Sequence, residues 1–270
     1  MLLIDLAIFG IYLLASVCAH KAFWRHEAGW FHATQRLLWG AFSVHAARLA
    51  YTFWSTGHLT LSFAMFLNLL PAVLVGLSLL WQMTHKNDYA VMFVAPLATL
   101  MLGFSLGLQH LGQPEALFSG SPWLWVHVQC LIMAYALLGI GGLTALSYLL
   151  LALLMRQTSR LGKLAQGVSL ETLSQHTDRC LKWGVLLLTL GLAGGIVRML
   201  PDLSWTAGDA FKALLSGTTW FLYVSVVSLR ARGRLQGRQG MVWVSLCFAG
   251  LLINLLSNSL TTATYHRIFL

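Results

Sequence analysis

Histidines are the residues of this sequence whose side chains offer the clearest chemistry. Four of the ten stand where apolar stretches meet polar segments: His58, His110, His127 and His266. A neutral imidazole can bind zinc, copper or haem iron through a ring nitrogen. A zinc site usually adds cysteine or carboxylate ligands, whereas two imidazoles on opposite sides of one iron atom suit a six-coordinate haem. These histidines therefore predict a metal site, and haem is one candidate for it.

Aromatic residues accompany these histidines and could pack against a porphyrin: Trp123, Trp125, Trp205, Trp220 and Tyr265. Membrane proteins also place tryptophan and tyrosine at the membrane interface, so the aromatic residues alone do not select haem. The four cysteines occur singly, with no CxxC pair, which is typical of small apolar residues rather than of ligands.

A further histidine, His45, lies in the middle of an apolar stretch, with Arg48 three residues later. Residues three apart share one face of a helix. Ionisable side chains at membrane depth are costly and face the interior of a helix bundle. The pair therefore predicts either a functional polar site or a hydrogen bond between helices, and the sequence leaves both alternatives open.

The elements that carry these residues are membrane helices. The chain is 58% hydrophobic and only 9% charged, with a mean hydropathy of +0.73, whereas soluble domains carry about 25% charged residues. A spanning helix needs about 20 mostly apolar residues. Eight stretches meet this need: 2–20, 34–54, 60–81, 89–109, 123–155, 180–200, 208–229 and 241–262. We expect an all-α, polytopic bundle of eight transmembrane helices forming a single integral membrane domain, 1–270. In the long polar joint 156–179, we expect a short amphipathic helix on the membrane surface.

The basic residues predict the orientation of the bundle. All but four of the 17 lie on alternate joints or the adjoining helix ends, and the four exceptions are Arg48, Arg198, Lys212 and Arg267. Loops rich in lysine and arginine stay in the cytoplasm, so both termini are expected outside, with the four border histidines at the outer rim. The basic residues also attract anionic lipid. Because they are divided among separate loops, they do not favour nucleic acid binding.

Four segments carry a resemblance to a known family: "STGHLTLSFAMFLNLL", "HVQCLIMAYALLGIGGLTALSYLLL", "LKWGVLLLTLGLAGGIVRM" and "GLLINLLSNSLTTATYHRIF". Their order and spacing are similar to those of the cytochrome c assembly family of haem-handling membrane proteins, which includes CcsA, CcmC, HemX and YpjD-like members. The resemblance covers most of the chain. It implies a multi-pass protein of the bacterial inner membrane that assists cytochrome c maturation or haem handling. Its expected partners are haem, membrane lipid and, beyond these, other maturation proteins or apocytochrome c.

The resemblance also implies roles for individual residues. His127 and His266 match the two outer histidines that act as axial ligands in CcsA-like members, which implies haem b held at the outer face. His58 and His110 are the nearest substitutes for this pair. His45 resembles the helix histidines through which other members bind a second haem within the membrane.

One segment departs from the family pattern. Between the sixth and seventh helices, CcsA-like members carry a tryptophan-rich segment that resembles "WGxYWxWDPKE", and this chain has "PDLSWTAGDAFKALLSGTTW" instead. Trp205, Asp209, Lys212 and Trp220 are the expected remnants of that segment, and the two tryptophans are the expected remnants of the surface that contacts haem. We therefore expect a haem-binding protein that is not a complete haem lyase on its own. Two alternatives remain: an accessory subunit of a membrane complex that has lost haem, and a small-solute transporter that uses His45 and Arg48.

Overall fold

The computed structural model describes residues 2–25, 28–56, 63–84, 90–108, 122–157, 169–199 and 207–268. Within these ranges, eight α-helices account for almost every residue. They are α1 (Leu2–Arg25), α2 (Ala28–Thr56), α3 (Phe63–Thr84), α4 (Ala90–Leu108), α5 (Pro122–Gln157), α6 (Leu170–Met199), α7 (Ala207–Ala231) and α8 (Gly237–Ile268). The all-α prediction is confirmed.

Six of these helices are long and apolar enough to cross a membrane over their described residues: α1, α3, α5, α6, α7 and α8. In α4 the described apolar stretch, Phe93–Gly107, is shorter. Helix α2 has 29 residues but includes polar and charged ones, among them His45 and Arg48. The chain is therefore a multi-pass membrane protein by length and composition.

The beginning of α6 differs from the sequence prediction. A helix was expected from residue 180, after a separate amphipathic helix, yet α6 already begins at Leu170. Its polar first turns have partners: Thr177 Oγ1 lies 2.8 Å from Thr144 Oγ1, and Asp178 Oδ1 accepts a 2.6 Å hydrogen bond from Arg230 Nε. These polar residues were expected to belong to a helix on the membrane surface. Because their side chains are hydrogen-bonded to neighbouring helices, they form the first turns of α6. The part of the joint at 158–168 lies outside the described residues.

The contacts divide the chain into two units. The first unit comprises Met1–Ser119 and Leu154–Ser169, in which α1 packs against α2 and α4, and α3 packs against α4. Polar contacts join these helices inside the unit. Arg48 Nη2 lies 2.7 Å from Asp5 Oδ2, and Ser16 Oγ lies 2.8 Å from Thr99 Oγ1.

The second unit comprises Gly120–Leu153 and Leu170–Leu270. Here α5 and α6 run in opposite directions, because two contacts between them have reversed order along the chain. His127, early in α5, bonds to Gly191, late in α6. Thr144, later in α5, bonds to Thr177, early in α6. The start of α5 therefore lies beside the end of α6.

The remaining helices of this unit alternate in the same way. Asp178, early in α6, pairs with Arg230, late in α7, while Thr189 accepts a hydrogen bond from Trp220, earlier in α7. The turn at 232–236 then reverses the chain directly into α8. The starts of α5 and α7 and the ends of α6 and α8 consequently lie at one end of the unit.

The reversal between α7 and α8 depends on two glycines with positive φ, Gly233 at 73° and Gly237 at 56°. Residues with a side chain rarely adopt this left-handed conformation. The backbone N–H of Arg234 donates to the carbonyl of Leu229 at 2.9 Å, which satisfies one of the last carbonyls of α7. This connection fixes where the fourth helix of the unit begins.

Candidate functional site

The candidate site begins at His127, five residues after the start of α5. Its Nδ1 lies 2.6 Å from the carbonyl oxygen of Gly191 on α6. A carbonyl oxygen only accepts hydrogen bonds, so Nδ1 is the donor and carries the ring proton. In a neutral imidazole the lone pair then lies on Nε2, and metal-binding histidines commonly have this arrangement. The side chain is therefore held in a tautomer that can bind iron through Nε2.

Two glycines of α6 make room for this imidazole. A Cβ placed on Gly195 would lie 2.8 Å from Cε1 and 3.0 Å from Nδ1 of His127. A Cβ on Gly194 would meet the same residue only at 3.4 Å, at its Cβ atom. The segment "GLAGG" at 191–195 thus forms the surface on which the ring rests. This segment is part of the pattern that carries the family resemblance, yet the sequence predicted no site residue in it. Closely spaced small residues, which are typical of contacts between membrane helices, are the signal that could have pointed to it.

The second predicted ligand, His266, lies in the last turn of α8. Its backbone is helical, and its side chain lies outside the described residues. The end of α8 and the start of α5 lie at the same end of the second unit. The backbone at residue 266 is therefore at the same end of this unit as His127. His58, His110 and Trp205 also fall outside the residues that the structure describes.

Trp220 lies within α7, well after its start at Ala207. Its indole Nε1 donates a 2.8 Å hydrogen bond to Thr189 Oγ1 on α6. The part of the compared segment from Ala207 onward is helix rather than a connection between helices. Trp220 therefore contacts α6 two residues before Gly191.

His45 belongs to the first unit, where it is fully buried. Its Nε2 lies 3.0 Å from Asn68 Oδ1 on α3, and its Nδ1 lies 3.4 Å from the Tyr12 hydroxyl on α1. A neutral ring can donate to the amide oxygen from Nε2 and accept from the hydroxyl at Nδ1. Both ring nitrogens have partners in this unit, which favours the hydrogen bond between helices that the sequence left as one alternative.

One turn along α2 from His45, Arg48 forms its ion pair with Asp5. Several buried polar atoms around this pair have no hydrogen-bond partner in the described structure: Asp5 Oδ1, Arg48 Nε, Arg48 Nη1 and Asn68 Nδ2. Buried groups of this kind commonly bond to ordered water. The first unit therefore has a polar interior among α1, α2 and α3.

The described residues contain no group of three or more histidine, cysteine, aspartate or glutamate side chains that could hold a metal ion. A haem iron needs at most two axial ligands from the chain. Of the two predicted axial ligands, His127 has its side chain within the described part of the chain, and its Nδ1 contact with Gly191 is compatible with iron binding through Nε2.

Residues 42–266 match the model of a family described as "Cytochrome C assembly protein". This chain belongs to the cytochrome c assembly protein family. The matched region begins in α2 and ends at the last predicted ligand, so it contains all six candidate residues: His45, His58, His127, Trp205, Trp220 and His266. The resemblance predicted from the sequence is confirmed.

Two CcsA relatives match this chain over nearly its whole length. The chain is 26% identical to "Cytochrome c biogenesis protein CcsA" of Parasynechococcus marenigrum (strain WH8102) over 294 residues, which cover 92% of each chain. It is 27% identical to the CcsA protein of Prochlorococcus marinus (strain MIT 9303) over 299 residues, 94% of this chain and 91% of the relative. The CcsA protein of Cyanophora paradoxa is 29% identical over 111 residues, 38% and 34% of the two chains. No solved structure matches the chain significantly.

Proposed function

We propose that this protein takes part in cytochrome c biogenesis by binding haem at the outer face of the bacterial inner membrane. Family membership and the CcsA relatives support the biological process, and six apolar helices support a membrane location. The observation that carries the haem proposal is the hydrogen bond from His127 Nδ1 to Gly191. It leaves the lone pair of the neutral ring on Nε2, which is the nitrogen that an iron atom needs.

In this proposal, His127 and His266 are the two axial ligands of one b-type haem. The alternating helix directions of the second unit support the pairing, because they bring the backbone of both residues to one end. Helices in direct contact lie about 8–10 Å apart, which is too close for a porphyrin between two imidazoles. The start of α5 and the end of α8 would therefore flank a cleft. His58 and His110 remain the nearest substitutes, and His45 lies outside this axial pair.

The proposal keeps the predicted topology and partners. Eight spanning helices, both termini outside and a single membrane domain over 1–270 would place the axial pair where apocytochrome c is matured. Haem would be held for transfer or handling, with lipid around the bundle and other maturation proteins as partners. Because the tryptophan-rich segment of a full synthase is reduced here to Trp205 and Trp220, the chain would not act as a complete haem lyase on its own.

Absorption spectra of detergent-purified protein, produced with ample haem, test this function. We expect wild-type protein to show a six-coordinate, low-spin haem. His127→Ala or His266→Ala should give a five-coordinate spectrum or lower haem occupancy, and the double variant should lose the haem, because each removes one axial nitrogen. His20→Ala is the matched control, since it removes an exposed histidine of the first unit. His45→Gln should also keep the spectrum of this haem.

The second candidate function is an accessory subunit that has kept the fold and lost haem. It is favoured by Trp220, whose indole N–H bonds to Thr189 on the neighbouring helix, a packing role that needs no haem. Wild-type protein that carries no haem, or a double histidine variant that keeps its haem unchanged, would support this candidate and contradict the first.

A further inference from the structure

The end of α6 contacts His127 at two points that act on different parts of the imidazole. The Gly191 carbonyl accepts the Nδ1 proton at 2.6 Å. Four residues later, one helical turn on, Gly195 lies against the Cε1–Nδ1 edge of the ring. The carbonyl selects the tautomer, and the bare Cα of Gly195 allows the ring to reach that carbonyl.

Gly195 leaves no space for a methyl group. A Cβ there would lie 2.8 Å from Cε1, 3.0 Å from Nδ1 and 3.7 Å from Nε2 of His127. Carbon atoms in favourable contact are about 3.5–4.0 Å apart. The ring would have to turn or move away from α6, and either movement lengthens the 2.6 Å hydrogen bond to Gly191.

We infer that Gly195 is a positioning residue for His127: together with the Gly191 carbonyl, it holds the imidazole with the proton on Nδ1 and therefore with the lone pair of the neutral ring on Nε2. The part of this inference that concerns iron rests on the proposed function. The part that concerns the tautomer does not, because it follows from contacts within the second unit alone.

Loss of this arrangement has a defined chemical consequence. When Nδ1 loses its carbonyl acceptor, the ring is free to take the tautomer with the proton on Nε2. The lone pair then lies on Nδ1, the nitrogen nearer to the backbone of α5. Outer partners of metal-binding histidines contribute about 10–100-fold to metal affinity, so the same loss of haem affinity is expected when Gly195 gains a methyl group.

Neighbouring glycines of α6 supply matched controls. Gly194→Ala adds the same methyl group one residue away, where its nearest contact is an ordinary 3.4 Å from His127 Cβ. Gly184→Ala would place a Cβ 2.6 Å from Leu138 Cδ2. It therefore disturbs the packing of α5 on α6 without contacting the imidazole.

The tautomer is measured by nitrogen NMR on the full-length, haem-free protein with ¹⁵N-labelled histidine, and His127→Gln assigns the resonance. We expect the Nδ1–H signature in wild type and in Gly194→Ala, and its loss or a shift toward Nε2–H in Gly195→Ala. Gly184→Ala should retain the wild-type signature. An unchanged signature in Gly195→Ala, or the same change in Gly184→Ala, would overturn the positioning role.

Haem titration of the same four proteins separates this inference from the proposed function. Gly195→Ala should bind haem about 10–100-fold more weakly than Gly194→Ala. If wild type and Gly194→Ala show the Nδ1–H signature and no variant binds haem, the positioning of His127 stands and the haem function fails. If Gly195→Ala and Gly194→Ala bind haem through His127 with equal affinity, the haem function stands and the role of Gly195 is wrong.

Discussion

His127 and His45 show how the surroundings of a single residue decide what a histidine can do in a membrane helix. The Nδ1–H of His127 donates a hydrogen bond to a backbone carbonyl, so its neutral ring has a lone pair on Nε2. His45 contacts a hydroxyl and an amide on two different helices. The first arrangement is the one that metal-binding histidines commonly have, whereas the second joins three helices.

Trp205 and Trp220 provide a test at the same scale. If they are remnants of a surface that contacts haem, Trp205→Ala and Trp220→Ala should lower haem retention modestly while the fold is kept. The lost apolar contact is worth a few kcal/mol at most. The measurement is haem per protein after gel filtration, together with the absorption spectrum.

Thr189→Val is the control for Trp220, because it removes the hydroxyl that accepts the indole hydrogen bond and keeps the ring. If Thr189→Val reduces haem retention as much as Trp220→Ala, the hydrogen bond rather than the aromatic surface is responsible. Unchanged haem content in both tryptophan variants would show that neither residue contacts haem.

At the scale of helices, the first unit depends on polar contacts among α1, α2 and α3. The Asp5–Arg48 pair is almost entirely removed from solvent, with side-chain exposures of 2% and 11%. A charge left without its partner in such a place is costly, typically about 3–5 kcal/mol. Replacing both partners with apolar residues costs much less, because no charge remains buried.

We therefore expect Arg48→Met and Asp5→Leu each to lower the free energy of unfolding by about 3 kcal/mol or more. The double variant should lose clearly less than the sum of the two. Unfolding of purified protein by increasing SDS, followed by circular dichroism, measures the three changes. Strictly additive losses would contradict an ion pair between these residues.

The helices were predicted correctly where a long apolar run determines the helix. The prediction failed where a helix end depends on hydrogen-bond partners from other helices. Over its described residues, each predicted apolar stretch is helical, because a spanning backbone must satisfy its own hydrogen bonds. The start of α6 was wrong by ten residues, since Thr144 and Arg230, which stabilise its polar first turns, come from distant segments. For the same reason His127 could be selected from the sequence while Gly191 and Gly195 could not.

At the scale of the whole molecule, the basic residues predict an orientation that the histidine proposal requires. The turn between α7 and α8 exposes Arg232 and Arg234, and such residues are retained on the cytoplasmic side. The end of α8 would then lie outside, as would the start of α5, since both occupy the other end of the second unit. A common outer location of His127 and His266 thus depends on one topological choice.

Reporter fusions in a bacterial host test that choice directly. A phosphatase that is active only in the periplasm should be active when fused after Leu270 and inactive when fused at Gly233, because one spanning helix, α8, separates the two sites. A reporter that fluoresces only in the cytoplasm should give the reverse result at both sites and serves as the control for expression. Activity of the phosphatase at Gly233 and not after Leu270 would place the axial pair at the cytoplasmic face. Haem bound there could not meet an apocytochrome outside, so that result would contradict the proposed function even if the two histidines bind iron.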